Sequence, residues 1–272
     1  MTTKIKTMLK ALTAVSTFAL SFSAAAGSIE FKDPKGDDIG AGHVVYPTDG
    51  VYKPGSFDLK KFIVKSDSKK ATFTAELNTT LEDTWGMGSG FAIQMIFVYI
   101  DTKPGGHTDS VPGTNVTFAS GSEWDKVVIL SPQKQSRVIS EAQVKAPNIL
   151  SDIVVPSRTK GKGKKITGKI NLADLGEGDP TTWGYQVVVQ SNEGFPAKTD
   201  LLTRKVNEYE GQHRFGGQAD TDCDPHVLDV LAGDGKGKKS EIAAQIEMLK
   251  FECSEDGEIV KLSELSMLRK SK

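Results

Sequence analysis

Apolar and polar positions along this chain fall into a period of two at several places. From Ala71 to Asn78 the alternation is clean, with Ala71, Phe73, Ala75 and Leu77 on one face and Thr72, Thr74, Glu76 and Asn78 on the other. That pattern predicts a half-buried strand. Phe62 to Lys65 reads as a short strand before it, and Ile166 to Ile170 as another. Phe91 to Ile100 is more continuously apolar, ends in Phe97-Val98-Tyr99-Ile100, and suits the central strand of a sandwich. Lys126 to Leu130 is a further apolar run stopped by Pro132; Tyr185 to Val189 is a strong strand and Val227 to Leu231 a weaker one.

Helical spacing is scarce. Ile242, Ile246 and Leu249 follow Ser240, a plausible N-cap, and Asn171 can cap one turn through Leu172 and Leu175 that Gly176 ends. Residues 28–60 read as loop, since Asp33-Pro34, Gly36-Asp37-Asp38, Gly40, Gly42, Pro47, Asp49-Gly50 and Pro54-Gly55 punctuate nearly every step. Lys160 to Lys169 carries five lysines around Gly161 and Gly163, an exposed hairpin tip. Beyond Ser254 the chain is polar and alternates weakly. Many short strands between turn clusters predict an all-β fold, an antiparallel β-sandwich with one or two short helices.

Composition adds exclusions. The 272 residues hold 34 Lys+Arg against 35 Asp+Glu, so the basic footprint of a nucleic-acid binder is missing. Lys4, Lys6 and Lys10 precede an apolar run from Ala11 to Phe22, and Ala24-Ala25-Ala26 supplies small residues. This is the pattern of a secretory signal cleaved after Ala26, too short to be a comfortable membrane span. Losing three lysines and no acid takes the formal charge from −1 to −4. The expected organisation is therefore a signal peptide at 1–26, one sandwich domain at 27–239, and a helix with a polar tail at 240–272. Export ends in a periplasm or outside the cell, an oxidising setting where Cys223 and Cys253 are expected to be bridged rather than left as buried thiols.

Catalytic signatures are lacking. Gly163, Gly168 and Lys169 nearly meet the P-loop spacing, but Ile170 stands where a magnesium-binding hydroxyl is needed. There is no Gly-x-Ser-x-Gly and no His-Glu-x-x-His, and His43, His107, His213 and His226 are scattered. The acids are more informative. Asp33, Asp37 and Asp38 surround Gly36, and Asp220, Asp222 and Asp224 alternate ahead of Asp229. Alternating carboxylates on a curled loop can supply several of the six to eight oxygens that calcium takes, at about 2.3–2.6 Å. Both clusters are therefore candidate structural calcium sites. The second is not an EF-hand, since Pro225 replaces the loop glycine and no Glu stands at the twelfth position. Trp85, Trp124 and Trp183 all lie in or beside turn-rich segments, where a ring can stack on the apolar face of a sugar or simply pack under a loop.

Several strings together resemble one family. Asp33-Pro34-Lys35-Gly36-Asp37-Asp38-Ile39-Gly40, Tyr46-Pro47-Thr48 and Pro54-Gly55-Ser56-Phe57-Asp58-Leu59 are similar to the opening of the glucodextranase C-terminal, DOMON-like domain. The likeness continues through Gly90-Phe91, Val98-Tyr99-Ile100-Asp101-Thr102, Trp183-Gly184-Tyr185, Arg214-Phe215-Gly216-Gly217 and Asp224-Pro225-His226-Val227-Leu228-Asp229. The resemblance implies a sandwich of the kind shared with family-nine carbohydrate-binding modules. It also implies kinship with haem-b-carrying small subunits of ethylbenzene-dehydrogenase-type enzymes. Two functions follow as expectations. One is a non-catalytic module for carbohydrate or cell-surface polysaccharide, with structural calcium; the other is a periplasmic electron-transfer subunit holding haem b, for which Met87, Met95 and His107 are the residues to consider.

Overall fold

The computed structural model describes residues 26–219, 223–232 and 238–270; the expected leader lies almost wholly outside these residues. The strands, in chain order, are β1 Gly27–Lys32, β2 Leu59–Ser66, β3 Lys70–Leu77, β4 Gln94–Asp101, β5 Val116–Phe118, β6 Lys126–Leu130 and β7 Ile153–Val154. They continue as β8 Thr159–Lys162, β9 Lys165–Asn171, β10 Gly184–Ser191, β11 Asp229–Val230, β12 Glu252–Cys253, β13 Ile259–Lys261 and β14 Ser263–Leu265. Two helices accompany them, α1 Gln135–Lys145 and α2 Lys238–Met248.

Two five-stranded sheets face each other, ordered β1-β2-β3-β9-β8 and β11-β10-β4-β6-β7. Pairing is antiparallel except between β6 and β7. The predicted sandwich is present. Its interior follows from the period of two: Phe62, Val64, Phe73, Ala75, Leu77 and Ile166 from one sheet meet Ile96, Val98, Ile100, Val187 and Val189 from the other. Each such side chain taken from water contributes roughly 1.5–3 kcal/mol.

β4 and β10 are buried at every position, because the second sheet is covered on its outer face as well. Met95, Phe97, Tyr99, Val127, Ile129 and Val188 point outward into a second apolar layer with Phe118, Val138, Ala142, Leu249 and Leu265. Gln186 and Gln190 also lie on this face, and both are buried with hydrogen bonds. The Gln186 side-chain amide donates to the Ser266 carbonyl at 2.8 Å, and that of Gln190 donates to the His226 carbonyl. The outer face of the first sheet has no such cover and stays polar.

Several sequence expectations change. The stretch from 28 to 60, read as loop, opens with β1 and closes with the start of β2; only its middle is loop. Lys160–Lys169 forms the β8–β9 hairpin, turning at Gly163 (φ 61°). α1 was not anticipated, because only Val138 and Ala142 of its eleven residues are buried. α2 and the tail, set apart at 240–272 by sequence, belong to the covering layer. β14 pairs in parallel with β5, and Leu268 bridges to Tyr185 with N–H···O distances of 2.8 Å in both directions. Asn171 precedes the expected single turn, but its amide reaches the Asp174 carboxylate at 3.2 Å instead of the free backbone N–H groups.

Cys223 and Cys253 are bridged, with a sequence separation of 30. Closing a loop of that length removes roughly 3–4 kcal/mol of chain entropy from the unfolded state. Replacing both cysteines by alanine is expected to lower unfolding free energy by about 2–4 kcal/mol in denaturant titration. A loss below about 0.5 kcal/mol would show that the bridge does not constrain the unfolded chain.

Candidate functional site

Among the described residues, acids from both loops meet in one group. Asp33 follows β1, Asp37 lies in the turn after it, and Asp229 opens β11; one carboxylate oxygen from each lies within 4.8 Å of the others, and all three residues are buried. Local sequence explains how they meet. Gly36 (φ 77°) and Gly40 (φ 57°) adopt the left-handed conformation that curls the loop. A Cβ at Gly40 would come within 2.6 Å of the Val227 carbonyl, so only glycine permits this approach. The Gly40 N–H then donates to Leu228 O at 2.9 Å, while Leu228 and Leu231 donate to Val189 and Val187 and hold Asp229 at the sheet edge.

The hydrogen bonds around the centre join distant parts of the chain. Asp229 Oδ2 accepts from the Leu59 N–H at 2.6 Å, and Asp33 Oδ1 accepts from Ala232 N–H at 3.3 Å. Asp58 Oδ2 accepts from Gly36 N–H at 2.7 Å and from Asn78 at 2.9 Å. Gln245 of α2, itself buried, donates to the Asp37 carbonyl at 2.5 Å and to the Gly40 carbonyl at 3.2 Å. Among the described residues, none donates a hydrogen bond to the buried Asp229 Oδ1. Burial first, and then the neighbouring Asp33 and Asp37 charges, push the Asp229 carboxyl well above the usual carboxylate range. Three buried carboxylates within ligand distance of one another match the donor set of a hard divalent cation.

The remaining acids are placed otherwise. Asp38 is turned to the Tyr46 hydroxyl, which donates to it; burial raises the Asp38 carboxyl despite that bond. Asp224 is buried but stands outside the group of three, and its backbone carbonyl accepts from Asn115 at 2.7 Å. Asp220 and Asp222 lie outside the described residues.

The tryptophans separate in the same way. Trp124 is fully buried in the outer layer, where its indole N–H donates to Asp109 O at 2.9 Å, and Trp183 is buried in the inner core. Both are corrections to the expectation of a presented ring, since each packs under a loop. Trp85 is 38% exposed. Its loop is held by the Asp83 carboxylate, which accepts from the N–H groups of Met87 (2.6 Å), Gly88 (2.8 Å) and Gly90 (3.4 Å). Trp85 stands edge-on to Tyr52 and His213, at ring separations of 6.5 and 6.4 Å. Behind it, Arg204 pairs with Glu193 at 2.7 Å. A cavity of about 530 Å³ starts at Gly86 and Met87 in the same loop and runs past Gln133, Lys134 and Arg137.

One family profile, described as the C-terminal binding module, SLH-like, of glucodextranase, matches residues 29–262. The chain belongs to this family. No curated protein matches it. The glucodextranase-type module thus keeps the resemblance seen in its sequence, including Asp33, Asp37 and Asp229 within the matched span. The residues considered for haem do not form one ligand set. Met95 is in the outer layer, Met87 packs against the inner core, and His107 is paired with Asp152 at 2.8 Å with its ring against Trp124.

The raised Asp229 carboxyl gives a pH signature in chelator-treated protein. A group held above its unfolded value contributes stability that is fully present below that unfolded value, about 3.9 for Asp. The contribution is lost as pH rises through the folded value. The melting temperature of the chelated module should therefore fall from about pH 4 upward, and Asp229→Asn should flatten that fall. Parallel slopes in the two proteins would contradict the placement of Asp229.

Proposed function

We propose that the protein is an exported, non-catalytic module that binds carbohydrate through the Trp85 face, with calcium at the Asp33–Asp37–Asp229 centre. The observation that carries the reading is the presentation of Trp85. It is the one tryptophan of the three with an exposed ring, its loop is clamped by Asp83, and polar groups and a cavity adjoin it. A rigid ring presented at low conformational cost suits stacking on the apolar face of a sugar. The family's description as a binding module supports the same role.

Calcium has a structural part in this reading. It would join the end of β1 to β11 at the sandwich edge, and the loops that end there would be held by ligation in addition to hydrogen bonds. The carboxylates are too deeply buried to meet a polysaccharide. Export agrees with the disulfide, which persists in oxidising compartments. Among the described residues, no helix is long and apolar enough to cross a membrane.

Two outcomes follow. Trp85→Ala should weaken binding to a retained polysaccharide by about tenfold or more, as truncating a central aromatic anchor does. Its melting temperature should remain near that of the parent, and gel retardation over a panel of neutral and charged polysaccharides measures both affinity and selectivity. Unchanged retardation would remove Trp85 from the site. Calcium at 100 times its dissociation constant should stabilise the chelated protein by about 2.7 kcal/mol. Asp229→Ala should abolish that gain in thermal melts, and a calcium shift that survives the substitution would place the ion elsewhere.

A further inference from the structure

The two sheets differ in what lies over them. The outer face of β10-β4-β6 is covered, whereas the outer face of β3, β9 and β8 is open. Period-two alternation puts Lys165, Thr167 and Lys169 of β9 on that open face, since Ile166 and Ile170 between them are buried. Register then adds neighbours: Lys160 lies opposite Thr167, Lys162 opposite Lys165, Thr72 opposite Lys169, and Lys70 opposite Asn171. Lys70, Lys160, Lys162, Lys165, Thr167 and Lys169, with Arg158, line a groove of about 700 Å³ whose lining also includes Val154 and Val155 and in which Asp174 is the only acidic residue.

Charge on this face is compensated only in part: Asp67 interacts electrostatically with Lys70 and Lys169 without an ion-pair contact. Lys165 approaches Glu76 at 3.4 Å. Among the described residues, Lys70, Arg158, Lys160, Lys162 and Lys169 make no ion pair. Lys162 and Lys165 stand directly opposite one another, an arrangement that disfavours the sheet when both are charged. The chain as a whole carries a formal charge of −1, so this cationic face is a local concentration and not a general excess. A groove lined by one sign of charge focuses field and draws oppositely charged ligands.

We infer that the open face of β3, β9 and β8 binds an anionic polysaccharide, one bearing carboxylate or phosphate groups along its length, as a second contact surface of the module. Charge complementarity selects a polyanion. Threonines favour a glycan among polyanions: Thr72, Thr74 and Thr167 lie among the lysines, and the Thr74 and Thr167 hydroxyls, 3.2 Å apart and bonded to one another, keep further capacity for sugar hydroxyls. Among the described residues, these three strands put no aromatic ring on that face for stacking a nucleobase, and no large apolar side chain for entering a bilayer. The inference rests on the carbohydrate-binding reading for the class of polymer, but it uses a different surface from Trp85.

Polygalacturonate, as the carboxylate-bearing probe, and a phosphate-bearing glycan, as the second anionic probe, separate the two charge sources. Neutral dextran, random-sequence duplex DNA and vesicles containing phosphatidylglycerol complete the set. The full-length mature protein is expected to bind at least one anionic glycan with an affinity that falls steeply as salt rises, by the release of counterions. The double charge reversal Lys160→Glu, Lys169→Glu should weaken that binding by about tenfold or more at low salt and reduce the salt slope. The milder Lys160→Gln, Lys169→Gln variant should show an intermediate loss with an unchanged melting temperature, which separates a binding defect from a folding defect. The lysine substitutions should leave any binding of a neutral polysaccharide within about twofold of the parent, so the Trp85 face and the cationic face are read separately. Equal binding of polygalacturonate and the phosphate glycan by parent and charge-reversed protein would overturn the inference. So would tighter binding of DNA or vesicles than of either glycan.

Discussion

Asp229 accepts a hydrogen bond from the Leu59 N–H, 170 positions earlier in the chain, and the edge of the sandwich is organised around that contact. Leu59 opens β2 in one sheet and Asp229 opens β11 at the edge of the other, so one carboxylate joins the two layers. Asp33 and Asp37 come to the same point because the chain leaving β1 is curled by glycines and is pinned by Asp58 and Gln245. Bringing three carboxylates together in a buried place is costly unless their charge is compensated, and the buried, donorless Oδ1 of Asp229 marks where compensation is due. A divalent cation there would turn a local repulsion into a cross-link between sheets, as proposed above. The function proposed for the module depends on this edge being rigid, since Trp85 and its cavity are only as well placed as the loops around them.

The second constraint is the unequal cover on the two sheets. Helix α1, helix α2 and the tail bury one outer face completely, and the disulfide from Cys223 to Cys253 ties this covering layer to the segment that leads into β11. The cover therefore bears on the carboxylate centre through Gln245 and the bridge alike. The opposite face carries lysine and threonine in alternation with core residues and stays open. A module built this way has two different surfaces available, a clamped aromatic loop and a grooved cationic face.

Much of the sandwich was legible in sequence because its strands obey a period of two with large apolar residues inside. Phe73 and Leu77 marked β3, and the apolar run to Ile100 marked a central strand of the sandwich, though not the second layer that covers its outer face. The covering layer was less legible. It is built from residues that do not advertise burial, such as Gln186, Gln190, Val138 and Ala142, whose environments come from segments far away in sequence. The acids were partly legible. Proximity in sequence grouped Asp220, Asp222, Asp224 and Asp229, whereas among the described residues the fold brings Asp229 to Asp33 and Asp37 from the start of the domain. A sharper signal was available: Asp229 interrupts the apolar run Val227-Leu228-Asp229-Val230-Leu231, and a carboxylate in such a run must be buried with a partner. Trp183 likewise precedes the apolar Tyr185–Val189 strand and was drawn inward with it, while Trp85 sits between glycines and charged residues that keep its loop at the surface.

The central claim is that the buried carboxylates form a cation site that staples the sandwich edge. Elemental analysis of the purified protein, equilibrated with calcium and then dialysed into metal-free buffer, tests it most directly. The account predicts one tightly held calcium per chain, lost when Asp229 is replaced by asparagine in a protein that stays folded. A folded, native-sequence protein that retains no divalent cation after calcium equilibration would contradict it.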